Sequence, residues 1–190
     1  MARPSMRKEI VEAALEQFHS RGFNAAGVKD ITDRAGVPKG SFYNHFESKE
    51  ALAIVALEEY GLTRRLQDLA DPDTEPLTRI RKHFEFFRDE VLGYGITRGC
   101  LLGNFGAEIA DHNEAIRAAV REGFEAWGTA LASTIREAQQ AGAVRAELDP
   151  EATARFILSA WEGALLLART DRSAGAFDSF FAVTFGTLLT

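Results

Sequence analysis

Apolar residues recur at three- and four-residue intervals along almost the whole chain, from Ile10 to Leu188. No segment alternates apolar with polar residues as a half-buried strand does, so an all-α fold is expected. Glycines, prolines and capping residues divide the pattern into nine helices. The first starts near Ser5, a suitable N-cap, turns Ile10, Val11, Ala14, Leu15 and Phe18 inward, and stops before Gly22. The second spans about Val28–Ala35 and stops at Gly36; Val37-Pro38 then turns the chain into a short third helix, about Lys39–His45. Ser48 caps a fourth, which carries Leu52, Val55, Ala56 and Leu62 and extends toward Leu69. Asp71–Pro76 is the clearest break. Helices at about Leu77–Leu92, Arg98–Asp111, Glu114–Gln140, Pro150–Arg169 and Ala176 to the C-terminus complete the set, without internal repeats.

Two short helices joined through Gly36-Val37-Pro38 form a compact helix-turn-helix pattern from Val28 to Phe46. Ile31, Ala35, Val37, Phe42 and Phe46 fall where they can pack inward against Leu15, Phe18 and Phe23. That leaves Lys39, Gly40, Ser41, Tyr43, Asn44 and His45 on or near the exposed side of the third helix. Their chemistry suits a DNA surface. Lys39 can meet a phosphate, Ser41, Asn44 and His45 can bond base edges or phosphates, and Tyr43 offers a hydroxyl and a ring. Gly40 permits close backbone approach. Helix N-termini attract phosphate, so Val28-Lys29 and Lys49 are candidate backbone anchors. The second helix of such a unit lies in the major groove of duplex DNA. The pattern taken alone also fits a plain helical corner in an all-α protein.

Charge is unevenly distributed. The chain carries a formal −6, but residues 1–49 sum to +2 and residues 50–190 to −8, as expected of a DNA-reading head on an acidic body. No run of eighteen apolar residues is present, so no membrane partner is expected. The N-terminal stretch lacks the apolar centre of a signal peptide, and the single cysteine, Cys100, rules out an intrachain disulfide. Both readings point to the cytoplasm.

The run from Gly36 to Leu52, GVPKGSFYNHFESKEAL, closely resembles the signature of the TetR family of bacterial repressors. Ala13–Phe18 and Arg21-Gly22-Phe23 resemble that family at the usual spacing to the turn. The resemblance covers about the first fifty residues. It implies a helix-turn-helix DNA-binding domain at residues 1–47 and a helical ligand-binding and dimerisation domain at residues 48–190. It also implies a palindromic double-stranded operator, release by an inducer, and a homodimer made by the last two helices. Asn44 departs from the basic or aromatic residue often found there, which bears on operator preference.

Thr97–Glu108 carries the other informative stretch. Cys100 is expected in the first turn of a helix, where the helix N-terminus and neighbouring Arg98 favour thiolate. The stretch resembles the Gly-Cys-Leu segment of a TetR subgroup that includes the repressor of N-ethylmaleimide reductase. This resemblance implies a cysteine that senses electrophiles or oxidants without a reversible ligand. Lone cysteines are also often inert packing residues. Phe105, Trp127 and Trp161 are the candidate lining of an apolar ligand pocket, with Phe84, Phe87 and Phe124 read as core.

The eighth helix presents Phe156, Ile157, Ala160, Trp161, Ala164 and Leu165, and the ninth Phe177, Phe180, Phe181, Thr184, Phe185 and Leu188. From these, Phe156, Ile157, Ala160, Ala164, Phe177, Phe181 and Phe185 are the candidate dimer contacts; the same stripes can also face the chain's own core. No catalytic residues, cofactor or metal are expected. The chain has no phosphate loop, metal-ligand helix motif or nucleophile elbow, and His83, Glu108 and His112 show no ligand spacing. Cys100 and His112 would lie about 120° apart around one helix, a poor nucleophile–base pair. A helical module that binds proteins instead of DNA is the remaining rival.

Overall fold

The computed structural model describes residues 6–190, and Ser5, the expected first cap, lies outside the described residues. Nine α-helices and no strand are present among the described residues. They are α1 (Met6–Arg21), α2 (Val28–Ala35), α3 (Lys39–Phe42), α4 (Lys49–Leu62), α5 (Pro76–Gly93), α6 (Leu101–Glu108), α7 (Glu114–Gln140), α8 (Pro150–Asp171) and α9 (Gly175–Val183). A 3₁₀ turn at Leu66–Ala70 follows α4, and a π turn at Thr184–Leu188 follows α9.

The chain forms two compact units. One holds the residues up to Arg64 together with Cys100–Gly123; the other holds Arg65–Gly99 and Phe124–Thr190. In the first, α1 packs on α2, α3 and α4, and α4 packs on α6. Ile10, Ala14 and Phe18 of α1 are fully buried, as are Ile31, Phe42, Leu52, Ala53, Ala56, Leu101 and Phe105. In the second unit, Phe84, Phe87, Trp127, Trp161, Phe177 and Phe180 form one aromatic cluster with centroid separations of 5.0 to 6.4 Å. Aromatic burial dominates the stability of such a core, because each ring removes a large apolar area from water.

Helix ends follow local chemistry. Ser48 accepts from the Ala51 N–H at 3.1 Å and Asp149 from the Ala152 N–H at 3.0 Å, each satisfying one orphan donor. Three expected boundaries move. Helix α3 is regular only through Phe42; Tyr43–His45 continue as a tight turn, closed by the His45 N–H donating to the Phe42 carbonyl at 2.9 Å. The extended backbone of Ser48 leaves no room for another helical turn. Helix α4 does not reach Leu69: the Thr63 hydroxyl donates to the Tyr60 carbonyl at 2.7 Å, and Arg65 adopts φ +54°. Helix α6 is shorter than Arg98–Asp111, because Cys100 is extended and Ile109 leaves the helical backbone at φ −134°.

Candidate nucleic-acid interface

The turn between α2 and α3 is built by three residues in sequence. Gly36 takes φ +67°, and its N–H donates to the Asp33 carbonyl at 3.2 Å. A Cβ at Gly36 would meet nothing within 4 Å, so the glycine is required for its backbone angle and not for space. The Val37 N–H returns to the Thr32 carbonyl at 3.1 Å, completing a Schellman-type stop, and Pro38 supplies the extended cap of α3. Behind the turn, Ile31 and Phe42 are fully buried and Phe46 nearly so, while Ala35 and Val37 are half-buried.

This packing aims the polar residues outward. Lys39, Gly40, Asn44 and His45 are exposed, Ser41 is half-buried, and Tyr43 is 60% exposed. The Tyr43 ring meets Phe42 edge-on at 5.1 Å, which fixes its base while leaving its hydroxyl in solvent. Five exposed or half-exposed side chains in the seven residues from Lys39 to His45 are hydrogen-bonding groups suited to base edges or phosphates.

The three anchor candidates differ. Val28 is half-buried at the start of α2. Lys29 is exposed and pairs with Asp33 one turn on; the hydrogen bond it donates to the Asp33 carboxylate, then that carboxylate's charge, raises the Lys29 pKa. Lys49 is half-buried and turned inward: its Nζ donates to the Phe23 carbonyl at 2.9 Å and lies 4.1 Å from the centroid of the Phe23 ring. Its expected phosphate contact therefore competes with an intramolecular one.

The sensor candidates are not brought together. Cys100 is 6% exposed and is the N-cap of α6, one residue ahead of the expected first turn. Phe105 packs in the first unit against Phe18 and Phe23 at 5.5 and 5.7 Å. Trp127 and Trp161 are buried in the aromatic core of the second unit. None of the four lines the cleft of about 430 Å³ in that unit, whose wall includes Arg65, Asp68, Asp71, Arg79, Lys82, His83 and Phe86. That cleft is polar, unlike the apolar pocket expected. Its 3₁₀ floor could not be read from periodicity, although Arg79 is the visible signal: a buried arginine that donates to the Leu69 carbonyl at 2.6 Å and pairs with Glu137. Among the described residues no three His, Cys, Asp or Glu side chains gather as metal ligands.

The dimer candidates separate into two groups. Ile157, Ala164, Phe177 and Phe185 are buried within the single chain. Phe177 stacks on Trp161 at 5.3 Å, and the Arg81 guanidinium covers Phe185 at 4.3 Å. Phe156 is 55% exposed, and Ala160 and Phe181 are half-buried. The exposed apolar surface of α8 and α9 instead adds Gly163, Leu166, Leu167 and Val183.

The comparisons with known proteins agree with this geometry. Residues 10–56 match the model of bacterial regulatory proteins of the tetR family, and residues 76–184 match the tetracyclin repressor-like C-terminal domain. The chain is 36% identical over 192 residues to the HTH-type transcriptional repressor DhaR of Mycobacterium sp. (strain GP1), covering 100% of this chain and 95% of that one. It is 29% identical over 179 residues to the HTH-type transcriptional repressor NemR of Escherichia coli (strain K12), covering 93% and 90% of the two chains. The crystal structure of regulatory protein TetR from Rhodobacter sphaeroides superposes with a TM-score of 0.90 at 33% identity, over 98% of this chain and 100% of that one. An outward polar helix on a Gly-Val-Pro turn, set in an all-helical chain with these relatives, makes the protein a DNA-binding transcriptional regulator that belongs to the TetR family.

Proposed function

We propose that the chain is a homodimeric repressor that reads a palindromic duplex operator and is released from it by a small-molecule or electrophilic inducer. One observation carries the DNA-reading part: Lys39, Gly40, Tyr43, Asn44 and His45 face solvent on a turn that Ile31, Phe42 and Phe46 hold from behind. Residues 1–47 serve as the head and residues 48–190 as the ligand-binding and dimerising body. Lys39, Gly40, Ser41, Tyr43, Asn44 and His45 enter the groove, and Val28 and Lys29 lie on the phosphates. Lys49 reaches a phosphate only by giving up its bond to Phe23.

Dimerisation is assigned to the exposed apolar surface of α8 and α9, centred on Phe156, Leu167 and Val183, because such a surface on two adjacent helices suits four-helix packing. A reversible inducer is assigned to the body. The burial of Cys100 favours this over direct attack by an electrophile, and Cys100 as a sensor is the second reading, supported by its place at the N-cap of α6. No helix among the described residues is long and apolar enough to cross a membrane; the chain acts in the cytoplasm, where its operator is, and has no catalytic role.

The test is footprinting of the purified protein on its neighbouring promoter region, with and without a panel of electrophiles and apolar ligands. Protection of two half-sites about one helical turn apart is expected. Binding without salt dependence, or no protection at all, refutes the repressor reading. If Cys100→Ser leaves release by N-ethylmaleimide unchanged, the sensor reading falls and the reversible one stands.

A further inference from the structure

Phe23, in the turn between α1 and α2, is gripped by two helices distant in sequence. Its N–H donates to Oε2 of Glu108 at 2.8 Å, and the N–H of Asn24 donates to Oε1 of the same carboxylate at 2.6 Å. Its carbonyl accepts from Lys49 at the start of α4 at 2.9 Å. Its ring stacks on Phe18 at 5.7 Å and meets the edge of Phe105, three residues ahead of Glu108 on α6. The Gly22 position completes the fit: at φ +85°, a Cβ there would lie 2.6 Å from Glu108 Oε2. Any side chain at position 22 therefore displaces the carboxylate.

Hydrogen bonds that two successive N–H groups donate to one carboxylate are short, directional and about twice as strong as neutral ones. Glu108 is half-exposed, so its carboxylate exchanges these amides for water at little desolvation cost. The other end of α6 is tied to α4, because the Leu101 N–H donates to the Tyr60 hydroxyl at 3.2 Å. Helix α6 is thus tied at one end to the α1–α2 turn and at the other to α4, and α2 begins four residues after the clamped Asn24.

We propose that Glu108 is a positioning residue for DNA binding: its carboxylate sets the α1–α2 turn, and through it the α2–α3 reading element, according to the state of α6. This rests on the regulator reading given above. By reciprocity, if α6 biases the head through Glu108, DNA on the head must bias α6 through Glu108 by the same factor.

The experiment uses the full chain and the duplex found by footprinting. Operator affinity is measured by fluorescence anisotropy, and amide hydrogen exchange of residues 101–108 with and without that duplex. In the unaltered protein DNA is expected to slow exchange in α6. Glu108→Gln keeps the size and one good acceptor; it is expected to weaken operator binding roughly tenfold and to abolish the DNA-induced slowing. Gly22→Ala is expected to do the same, and the Gly22→Ala/Glu108→Ala pair to be no weaker than either alone, because both remove one contact. Loss of affinity with α6 slowed as before marks Glu108 as merely structural and overturns the proposal, as does affinity within twofold of the unaltered protein. If the unaltered protein binds no duplex, the regulator reading falls first and takes this inference with it.

Discussion

The indole N–H of Trp127 donates to Nε2 of His83 at 2.8 Å, with both side chains at least 97% buried. Indole nitrogen is a donor only, so Nε2 is the acceptor and the imidazole proton sits on Nδ1. His83 also meets Phe87 edge-on at 4.6 Å and forms part of the wall of the polar cleft. The bond thus ties the aromatic core to the inner face of the cleft. Trp127→Phe is expected to destabilise the protein by about 2–4 kcal/mol, from the lost bond and a residual cavity. Urea denaturation of Trp127→Phe, His83→Phe and the double variant checks this. The double is expected to cost less than the sum, since each single leaves the other group buried without its bond.

Tyr43 and Asn44 are exposed and contribute little to the core, so alanine at either is expected to leave stability within about 0.5 kcal/mol. Operator affinity is expected to fall by about 1–3 kcal/mol for a residue that reads a base edge. Lys39→Ala is expected to weaken all duplexes alike and to lower the salt slope by about one. Anisotropy titrations at several salt concentrations separate the two behaviours.

Leu167 and Phe156 on α8 and Val183 on α9 are each 55% exposed. Leu167→Glu places a charge in any helix–helix interface there while leaving the chain's own core intact. The expected outcome is a monomer by sedimentation velocity, with unchanged helix content and lost operator binding. A persistent dimer would move the interface elsewhere.

The Asp71 carboxylate is held below its ordinary pKa, first by the Thr74 hydroxyl at 2.7 Å and then by the Asp73 N–H at 3.1 Å. A depressed carboxylate contributes stability that is full above its unfolded pKa of about 3.9 and is lost as pH falls through the lower folded value. The turn leading into α5 is therefore expected to stay ordered down to the ordinary carboxylate range and to loosen below it. Thr74→Val is expected to move the Asp71 titration, followed by carboxyl NMR, back toward the ordinary range.

The helix-turn-helix was legible because every instruction for it is local. Gly36 ends one helix, Pro38 admits the next, Ser48 caps the one after, and the spacing of Ile31, Phe42 and Phe46 marks the inner face. The apolar stripes of α8 and α9 were legible as stripes but not as two faces. Ile157 and Phe156 are neighbours in sequence, yet one is fully buried and the other mostly exposed, a difference of about 100° around a helix. The cleft and its 3₁₀ floor left no periodic signal at all, and the late start of α6 depended on the extended backbone of Cys100.

From sequence alone follow the all-helical class, the order and rough extent of nine helices, and the outward chemistry of Lys39–His45. These depend on contacts within one or two turns of chain. Tertiary structure decided which charges are spent internally and which remain free for DNA. Lys49 reads as a phosphate anchor in sequence, yet its nearest partner is the Phe23 carbonyl 26 residues away. Glu108 reads as an unremarkable helix-end acid, yet it holds two backbone amides 84 and 85 residues distant. A side chain's hydrogen-bonding capacity is visible in its name, but its partner is set by which loops the packed helices bring within 3 Å.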